Sequence, residues 1–144
     1  MRQSIEDVIE QHASMQKPAA TITIDTPHEV IGDDASLGQV VFNLLANAVK
    51  FVAPGKKPEV TVRSELRDRK VRIWFEDNGI GIKPEHRSKL FGMFQRLTND
   101  PRYEGTGIGL AIVRKAVERM GGTVGLEPGE KGGSRFWVEL KGGV

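Results

Sequence analysis

Two neighbouring segments of the chain alternate between apolar and polar residues with the two-residue period of a β-strand. They cover residues 59–66 and 71–76, and a polar stretch of four residues joins them. This pattern predicts a β-hairpin. Shorter alternating segments predict further strands at residues 21–25 and 30–31, and a last strand pair at residues 123–127 and 134–140.

Apolar residues at spacings of three and four predict four helices. The first covers residues 4–17, with Ser4 as its N-cap, and ends before Pro18. The second covers residues 35–52 and is capped by Asp33 or Asp34. A third is predicted at residues 84–94, and a fourth ends at Met120, where Gly121 and Gly122 stop it.

Length and charge limit the classes of protein that the chain can represent. Its 144 residues match the common size of one domain. The 21 Lys and Arg nearly balance the 19 Asp and Glu, and no long basic run is present. Nucleic acid binding is therefore not expected.

The cysteine and histidine content excludes several kinds of site. The chain has no cysteine, so it holds no disulfide and no thiolate-bound metal, and its three histidines are scattered.

The longest apolar stretch, residues 40–49, is interrupted by asparagines and is too short to span a bilayer. No signal peptide is evident, so we expect a soluble, cytoplasmic location.

A carboxylate stands at the end of the second predicted hairpin strand. Asp77 follows the alternating residues 71–75 and precedes Asn78, Gly79 and a second glycine, Gly81. A carboxylate beside an apolar pocket needs a donor, and the amino group of a ligand could supply one. A tight Asn-Gly hairpin turn is an equally good interpretation of this stretch alone.

The second predicted helix carries polar residues where a buried helix would not. At about 100° per residue, Asn43, Asn47 and Lys50 fall within roughly 40° of one another. They form a stripe of two amides and one ammonium group. On this evidence alone, the solvated edge of an amphipathic helix is the simpler explanation.

A glycine-rich segment precedes the last predicted helix. Residues 105–110 read Gly-Thr-Gly-Ile-Gly-Leu and follow a polar loop. Free backbone N–H groups at a helix N-terminus bind anions, above all phosphates. The segment is not a dinucleotide fingerprint, because Leu110 occupies the third glycine position. Nor is there a P-loop, since residues 55–56, Gly-Lys, are followed by Lys57.

Taken in chain order, these motifs resemble the ATP-binding catalytic domain of sensor histidine kinases, a branch of the GHKL ATPases. Residues 43–51 look like the N box, and residues 77–81 look like the first glycine box. Residues 91–94, with Phe91 and Phe94 at their ends, look like the F box, and residues 105–110 like the second glycine box. A weaker similarity to phytochrome- or PAS-linked kinases lies in the sequence around residues 94–105.

The resemblance implies a fold and a domain organisation. It implies an α/β (α+β) two-layer sandwich, in which helices pack on one face of a mixed β-sheet. Residues 1–144 would form a single ATP-binding domain. Within it, residues 1–20 would be an N-terminal helix and lead-in, and residues 95–107 an ATP lid.

The resemblance also implies a nucleotide site for ATP and Mg²⁺. Asp77 would accept the adenine amino hydrogen, Asn47 would hold Mg²⁺, and Phe51 would flank the purine. Lys50 and Arg96 would neutralise the phosphates. The remaining positions implied to bind nucleotide are Asn43, Gly79, Gly81, Ile82, Phe94, Gly105, Thr106, Gly107, Ile108, Gly109 and Leu110.

The residue at position 43 bears on the reaction. Hydrolysing members of the superfamily have a glutamate general base there, and Asn43 lacks comparable basicity. The resemblance therefore implies phosphoryl transfer to a histidine, with Asn43, Lys50 and Arg96 as catalytic residues. None of the histidines of this chain is suited to accept the phosphoryl group.

The partners follow from the same resemblance. They would be the histidine-bearing dimerisation domain of the same kinase and, downstream, a response regulator receiver domain. The chain would be a fragment of that kinase, monomeric by itself. The alternatives are an anti-sigma-factor serine kinase of the same superfamily and a nucleotide-binding module without transfer activity.

Overall fold

The computed structural model describes residues 2–17, 19–53, 55–82, 109–129 and 132–143. Three α-helices, one short 3₁₀ helix and six strands are described within these ranges. In chain order they are α1 (Arg2–Glu10), the 3₁₀ helix (Ala13–Met15), β1 (Thr21–Asp25), β2 (Glu29–Val30), α2 (Asp34–Lys50), β3 (Glu59–Arg67), β4 (Lys70–Asp77), α3 (Gly109–Arg119), β5 (Thr123–Pro128) and β6 (Ser134–Gly143).

The strands form one mixed sheet in the order β1-β3-β4-β6, and β5 and β2 both pair with the far edge of β6. The β1–β3 pair is parallel and the other pairs are antiparallel. β3 and β4 form the predicted hairpin, with Asp68 in the left-handed region at φ 56°. A short polar residue such as Asp tolerates this conformation. The central position of β4 brings its last residue, Asp77, between two neighbouring strands.

One face of the sheet packs against the helices. Val71, Ile73 and Phe75 of β4 point to this face and are at most 1% exposed. The apolar stripe of α2 covers them, with Val41, Leu44 and Leu45 buried. Burying a side chain of this size contributes roughly 1.5–3 kcal/mol. The predicted two-layer sandwich with helices on one face of a mixed sheet is therefore confirmed.

The opposite face of the sheet is covered by its own side chains. The guanidinium of Arg72 lies 3.8 Å from the ring centroid of Trp137 and donates to Glu139 at 2.9 Å. Trp137 lies flat over Gly125, where a Cβ would come within 2.2 Å of the indole ring. Trp74, on the same face, is 5% exposed. Arginine stacked on an aromatic ring and paired with a carboxylate stabilises such a face without a second layer.

The N-terminal segment differs from its prediction. The sequence predicts one helix over residues 4–17 capped by Ser4, but α1 ends at Glu10 and Ser4 lies inside it. The side-chain amide of Gln16 turns back and donates to the carbonyl oxygens of Ile9 and Glu10, both at 3.0 Å. These carbonyl groups lie in the last turn of the helix, so the side chain stabilises the helix end at that point.

The other helix ends agree with the sequence. Asp33 is the N-cap of α2 and accepts a hydrogen bond from the Ser36 N–H at 2.9 Å. This bond holds the pKa of Asp33 below its ordinary value. Gly121, at φ 77°, ends α3, and the Gly122 N–H donates to Val117, five residues back. The latter is the hydrogen bond of a Schellman motif.

The helix predicted at residues 84–94 lies outside the described residues. Within the described ranges, no helix combines the length and the apolar character needed to cross a membrane.

Candidate functional site

The side chain of Asp77 is fixed at the end of β4 by two backbone donors. Its Oδ1 accepts from the Gly79 N–H at 2.9 Å and from the Ser134 N–H at 3.1 Å. Both bonds fall on the same oxygen, and among the described residues no group donates to Oδ2. The second oxygen is therefore available to a ligand that brings a hydrogen-bond donor.

Burial changes the acidity of this carboxyl group. Desolvation raises the pKa of Asp77 to about 6, although the hydrogen bonds from Gly79 and Ser134 oppose the change. Removal from water disfavours the charged form of a carboxyl group, and donors to the carboxylate favour it. Raised pKa values of this kind occur at functional sites more often than elsewhere.

The residues after Asp77 turn toward the end of α2 and do not form a hairpin. Asn78 donates to the Lys57 carbonyl at 3.0 Å, and the Ile80 N–H donates to the Phe51 carbonyl at 2.8 Å. At Gly79, a Cβ would lie 2.3 Å from the Phe51 carbonyl oxygen, so only glycine fits this close approach. The hairpin interpretation of the Asn-Gly pair is therefore wrong.

A small cavity lies beside Asp77, between the end of α2 and the sheet. Its lining combines one carboxylate, one amide, one hydroxyl and several apolar groups, a mixture that is typical of ligand sites. The cavity encloses only about 10 Å³ in this structure, so it must widen to admit a planar heteroaromatic molecule. The residues that line it are Asn47, Phe51, Asp77, Gly81, Ile82, Ser134 and Phe136.

Sequence reasoning missed the contribution of β6 to this cavity. Ser134 is 4% exposed, and its backbone N–H holds Asp77 in place. Gly133 precedes it at φ 64°, and a Cβ there would lie 2.1 Å from the Asp77 carbonyl oxygen. The available signal was the Gly-Gly pair that introduces the alternating segment of residues 134–140. That signal becomes informative only when β6 is known to lie beside β4.

The structure places the polar stripe of α2 next to this cavity. Asn47 is half-buried and lines the cavity, whereas Lys50 is exposed, with its Nζ 5.2 Å from the ring centroid of Phe51. Asn43 donates through Nδ2 to the Gln39 carbonyl at 2.8 Å. Its Oδ1 would be 3.0 Å from a Cβ added to Gly109, so the start of α3 lies against it.

The remaining predicted site residues are Leu110 and a set of residues that the structure does not describe. Leu110 is 4% exposed and packs in the core, so only its backbone could contact a ligand. Among the described residues, no three His, Cys, Asp or Glu side chains cluster as they would around a metal ion. The remaining predicted residues, which include the ATP lid, lie outside the described ranges: Phe91, Phe94, Arg96, Gly105, Thr106, Gly107 and Ile108.

Comparison with known proteins gives consistent matches. Residues 32–143 match the family model described as histidine kinase-, DNA gyrase B-, and HSP90-like ATPase. The sensory/regulatory protein RpfC of Xanthomonas campestris pv. campestris is 42% identical over 121 residues, which cover 81% of this chain and 17% of RpfC. The signal transduction histidine-protein kinase BarA of Escherichia coli K12 is 34% identical over 149 aligned positions, covering 97% of this chain and 16% of BarA.

A solved structure extends the match to three dimensions. The mycobacterial sensor histidine kinase MprB matches with a TM-score of 0.80 at 30% identity, covering 98% of this chain and 92% of that one. The sequence relatives, in contrast, are much longer proteins. The chain spans less than a fifth of the length of RpfC or BarA.

Proposed function

Since the chain belongs to the histidine kinase-, DNA gyrase B- and HSP90-like ATPase family, we propose that it binds Mg-ATP and donates the terminal phosphoryl group to a histidine. The acceptor histidine lies on a dimerisation domain outside this chain. The observation that carries the nucleotide site is Oδ2 of Asp77, to which no described group donates, beside a small, partly apolar cavity, with Oδ1 already held by Gly79 and Ser134.

Adenine suits this end of the site for a chemical reason. Its amino group donates hydrogen bonds, and an ionised carboxylate only accepts them. Phe51, Ile82 and Phe136 supply apolar surface around the same cavity, and the faces of a purine ring would pack on it once the cavity widens. A base with a carbonyl oxygen in place of the amino group would bring an acceptor to the carboxylate and would bind less well.

The phosphate end of the site lies along α2. Lys50 is exposed there, and its ammonium group can neutralise phosphate charge. Mg²⁺ enters with the nucleotide as part of the substrate, and it requires few protein ligands, because phosphate oxygens and water fill most of its coordination positions. The amide oxygen of Asn47 is the described group that we assign to it. Arg96 and Gly105 to Ile108 remain predicted phosphate-binding residues.

Asn43 favours transfer over hydrolysis. It stands where a general base would have to act on a water molecule, and an amide cannot accept that proton. The terminal phosphoryl group then persists until a nucleophile arrives. We assign that nucleophile to the histidine of the dimerisation domain, and the later acceptor to a response regulator receiver domain.

Two measurements test the proposal in sequence. Calorimetric titration of the chain with ATP and Mg²⁺ is expected to give one-site binding with a Kd between about 1 μM and 1 mM. Incubation with labelled ATP and a separately supplied histidine-bearing domain is expected to give acid-labile label on that domain. Release of free phosphate at a rate typical of a dedicated ATPase contradicts the transfer assignment. Absence of binding in a folded sample contradicts the nucleotide site itself.

A further inference from the structure

A groove of about 970 Å³ lies at the opposite end of β4 from Asp77. Residues 27–31, around β2, form one side, the β3–β4 turn forms the other, and the last residues of β6 close it. Lys70 lines the groove and begins the eight-residue strand that ends at Asp77. At about 3.3 Å per residue, the groove is therefore roughly 20 Å from the nucleotide cavity.

The groove gathers exposed apolar side chains. Ile31 is 56% exposed and Leu66 is 58% exposed, and they line the groove from its two sides. Among the described residues only four large apolar side chains are exposed, and these are two of them. Leu66 is the register partner of Val71, so both lie on the sheet face that the helices cover elsewhere. No residue of a described helix lines the groove, and its apolar floor is left open to a partner.

Positive charges border the same groove. Lys70 and Lys141 stand directly opposite each other in the β4–β6 pairing, and both are exposed. Like charges at such positions destabilise a sheet. Among the described residues, no carboxylate forms an ion pair with either lysine or with Arg69. Glu29 and Asp68 also line the groove, so its rim carries both signs and favours one orientation of an acidic partner.

Backbone hydrogen bonds hold both sides of the groove in place. The Ile31 N–H donates to the Lys141 carbonyl at 2.8 Å. The Gly142 N–H donates to the Arg69 carbonyl, also at 2.8 Å. The groove therefore exists before a partner binds. Since these backbone groups already have partners, recognition at this point falls to side chains.

We propose that this groove docks an amphipathic helix of a partner protein, with its apolar stripe between Ile31 and Leu66 and acidic side chains beside Lys70 and Lys141. A helix that lays apolar side chains into a groove is a common mode of recognition. A flat anionic membrane fits less well, because the groove is concave and its rim also carries carboxylates. Phosphoryl transfer requires contact at about 3–3.5 Å, so a partner bound here is not the phosphoryl acceptor. The inference therefore goes beyond the proposed function and does not depend on it.

A helical peptide of defined composition serves as the probe. It is alanine-rich and about 18 residues long, because shorter isolated helices are marginally stable. Leucines form one stripe, and glutamates lie along both edges of that stripe. Titration of the chain, followed by its amide chemical shifts, is expected to show saturable binding with a Kd below about 1 mM and shifts at Ile31, Leu66 and Lys141. The same peptide with lysine in place of glutamate is expected to bind about fivefold more weakly or less.

Substitutions test the apolar and the charged feature separately. Leu66→Ser removes an exposed apolar side chain, and Lys70→Gln combined with Lys141→Gln removes the opposed charges. Each change is expected to weaken binding of the glutamate peptide by about fivefold or more. Leu66→Met, and Lys115→Gln on the exposed face of α3, are matched controls that should bind within about twofold of the wild type. Lys70→Glu combined with Lys141→Glu is expected to reverse the preference in favour of the lysine peptide.

The outcomes separate this docking site from the nucleotide site. Saturation with the glutamate peptide is expected to leave the Kd for Mg-ATP within about twofold, because the two sites share no residue. Absence of saturable shifts up to about 1 mM peptide overturns the docking site. Equal binding of the two peptides, or shifts centred on another surface, overturns it as well. If phosphatidylglycerol vesicles bind the chain through the same residues, the groove is a membrane site and the proposal is wrong.

Discussion

Replacing Asp77 by asparagine is expected to change nucleotide affinity and protein stability in opposite directions. The two side chains have nearly the same volume, so the change tests charge and hydrogen bonding. The amide oxygen takes the place of Oδ1 and keeps the bonds from Gly79 and Ser134. The amide nitrogen must then occupy the position of Oδ2 and face the cavity. There the amide nitrogen, which is a hydrogen-bond donor, would face the adenine amino group, which is also a donor.

The loss of affinity follows from that unmatched pair. Leaving a buried donor without an acceptor costs about 1–3 kcal/mol, and here two donors face each other. We expect Asp77→Asn to weaken Mg-ATP binding by about 2 kcal/mol or more, roughly 30-fold in Kd. Calorimetric titration at pH 8 measures this change. Asp68→Asn, the same substitution at the exposed turn between β3 and β4, serves as the control and should bind normally.

The gain in stability follows from the cost of the buried charge. The pKa of Asp77 rises from 3.8 to about 6 on folding, and each pKa unit corresponds to about 1.36 kcal/mol. Ionised Asp77 therefore destabilises the ligand-free protein by about 3 kcal/mol at most. After allowance for weaker hydrogen bonds to an amide and for residual solvent, Asp77→Asn should be about 2 kcal/mol more stable at pH 8.

The pH dependence identifies the group responsible. Between pH 3.8 and about 6 the folded protein binds a proton at Asp77 that the unfolded chain does not. Stability from this group therefore falls as pH rises through that window and is constant above it. Thermal unfolding across pH 4–8 should show the advantage of Asp77→Asn growing with pH and reaching several degrees, with about 3 °C for each kcal/mol. An unchanged ATP affinity would show that the adenine contact is misassigned, and an unchanged stability would show that the charge is well solvated.

Three further outcomes are expected. Gly133→Ala should destabilise the protein by more than about 2 kcal/mol, because its Cβ would meet the Asp77 carbonyl oxygen. Gly132→Ala, at φ 85° and with nothing within 4 Å of the added Cβ, should cost only about 1 kcal/mol. Urea unfolding compares the two variants, and equal losses of stability would contradict the contact at Gly133. Lys50→Met should weaken Mg-ATP binding by about fivefold at low salt and less at high salt, measured by titration at two salt concentrations. Asn43→Ala should keep the Kd for Mg-ATP within about threefold but slow transfer to the acceptor domain by about tenfold, and a parallel loss of affinity would assign Asn43 to binding instead.

The sequence predicts those parts of the fold whose interactions are local. Alternation over residues 59–66 and 71–76 specifies the β3–β4 hairpin, because the turn and both faces of the strands are encoded within 20 residues of one another. The caps at Asp33 and Gly121 are equally local, since each involves hydrogen bonds within one or two helical turns. The position of Asp77 at the end of β4 is also predicted from local sequence alone.

The contribution of β6 to the site could not be predicted in this way. Ser134 lies 57 residues beyond Asp77 in sequence, and only the pairing of β4 with β6 brings its N–H to the carboxylate. Periodicity identifies β6 as a strand but does not specify its neighbour or register. The break after α1 was missed for a related reason, since a side chain of Gln16 competes with helix propagation and leaves no periodic signal.

The two ends of the proposed site differ in how the fold holds them. They therefore differ in how much folding free energy they cost. At the base end, Asp77 is fixed by backbone donors from two elements and is removed from water, so the contact is preorganised at the expense of stability. At the phosphate end, Lys50 is exposed and its charge costs the folded state nothing comparable. A ligand that pairs with Oδ2 of Asp77 relieves part of the cost of the buried charge. The buried charge that destabilises the ligand-free protein therefore lies at the residue that we expect to select the base, and we expect nucleotide binding and folding to be coupled through that carboxylate.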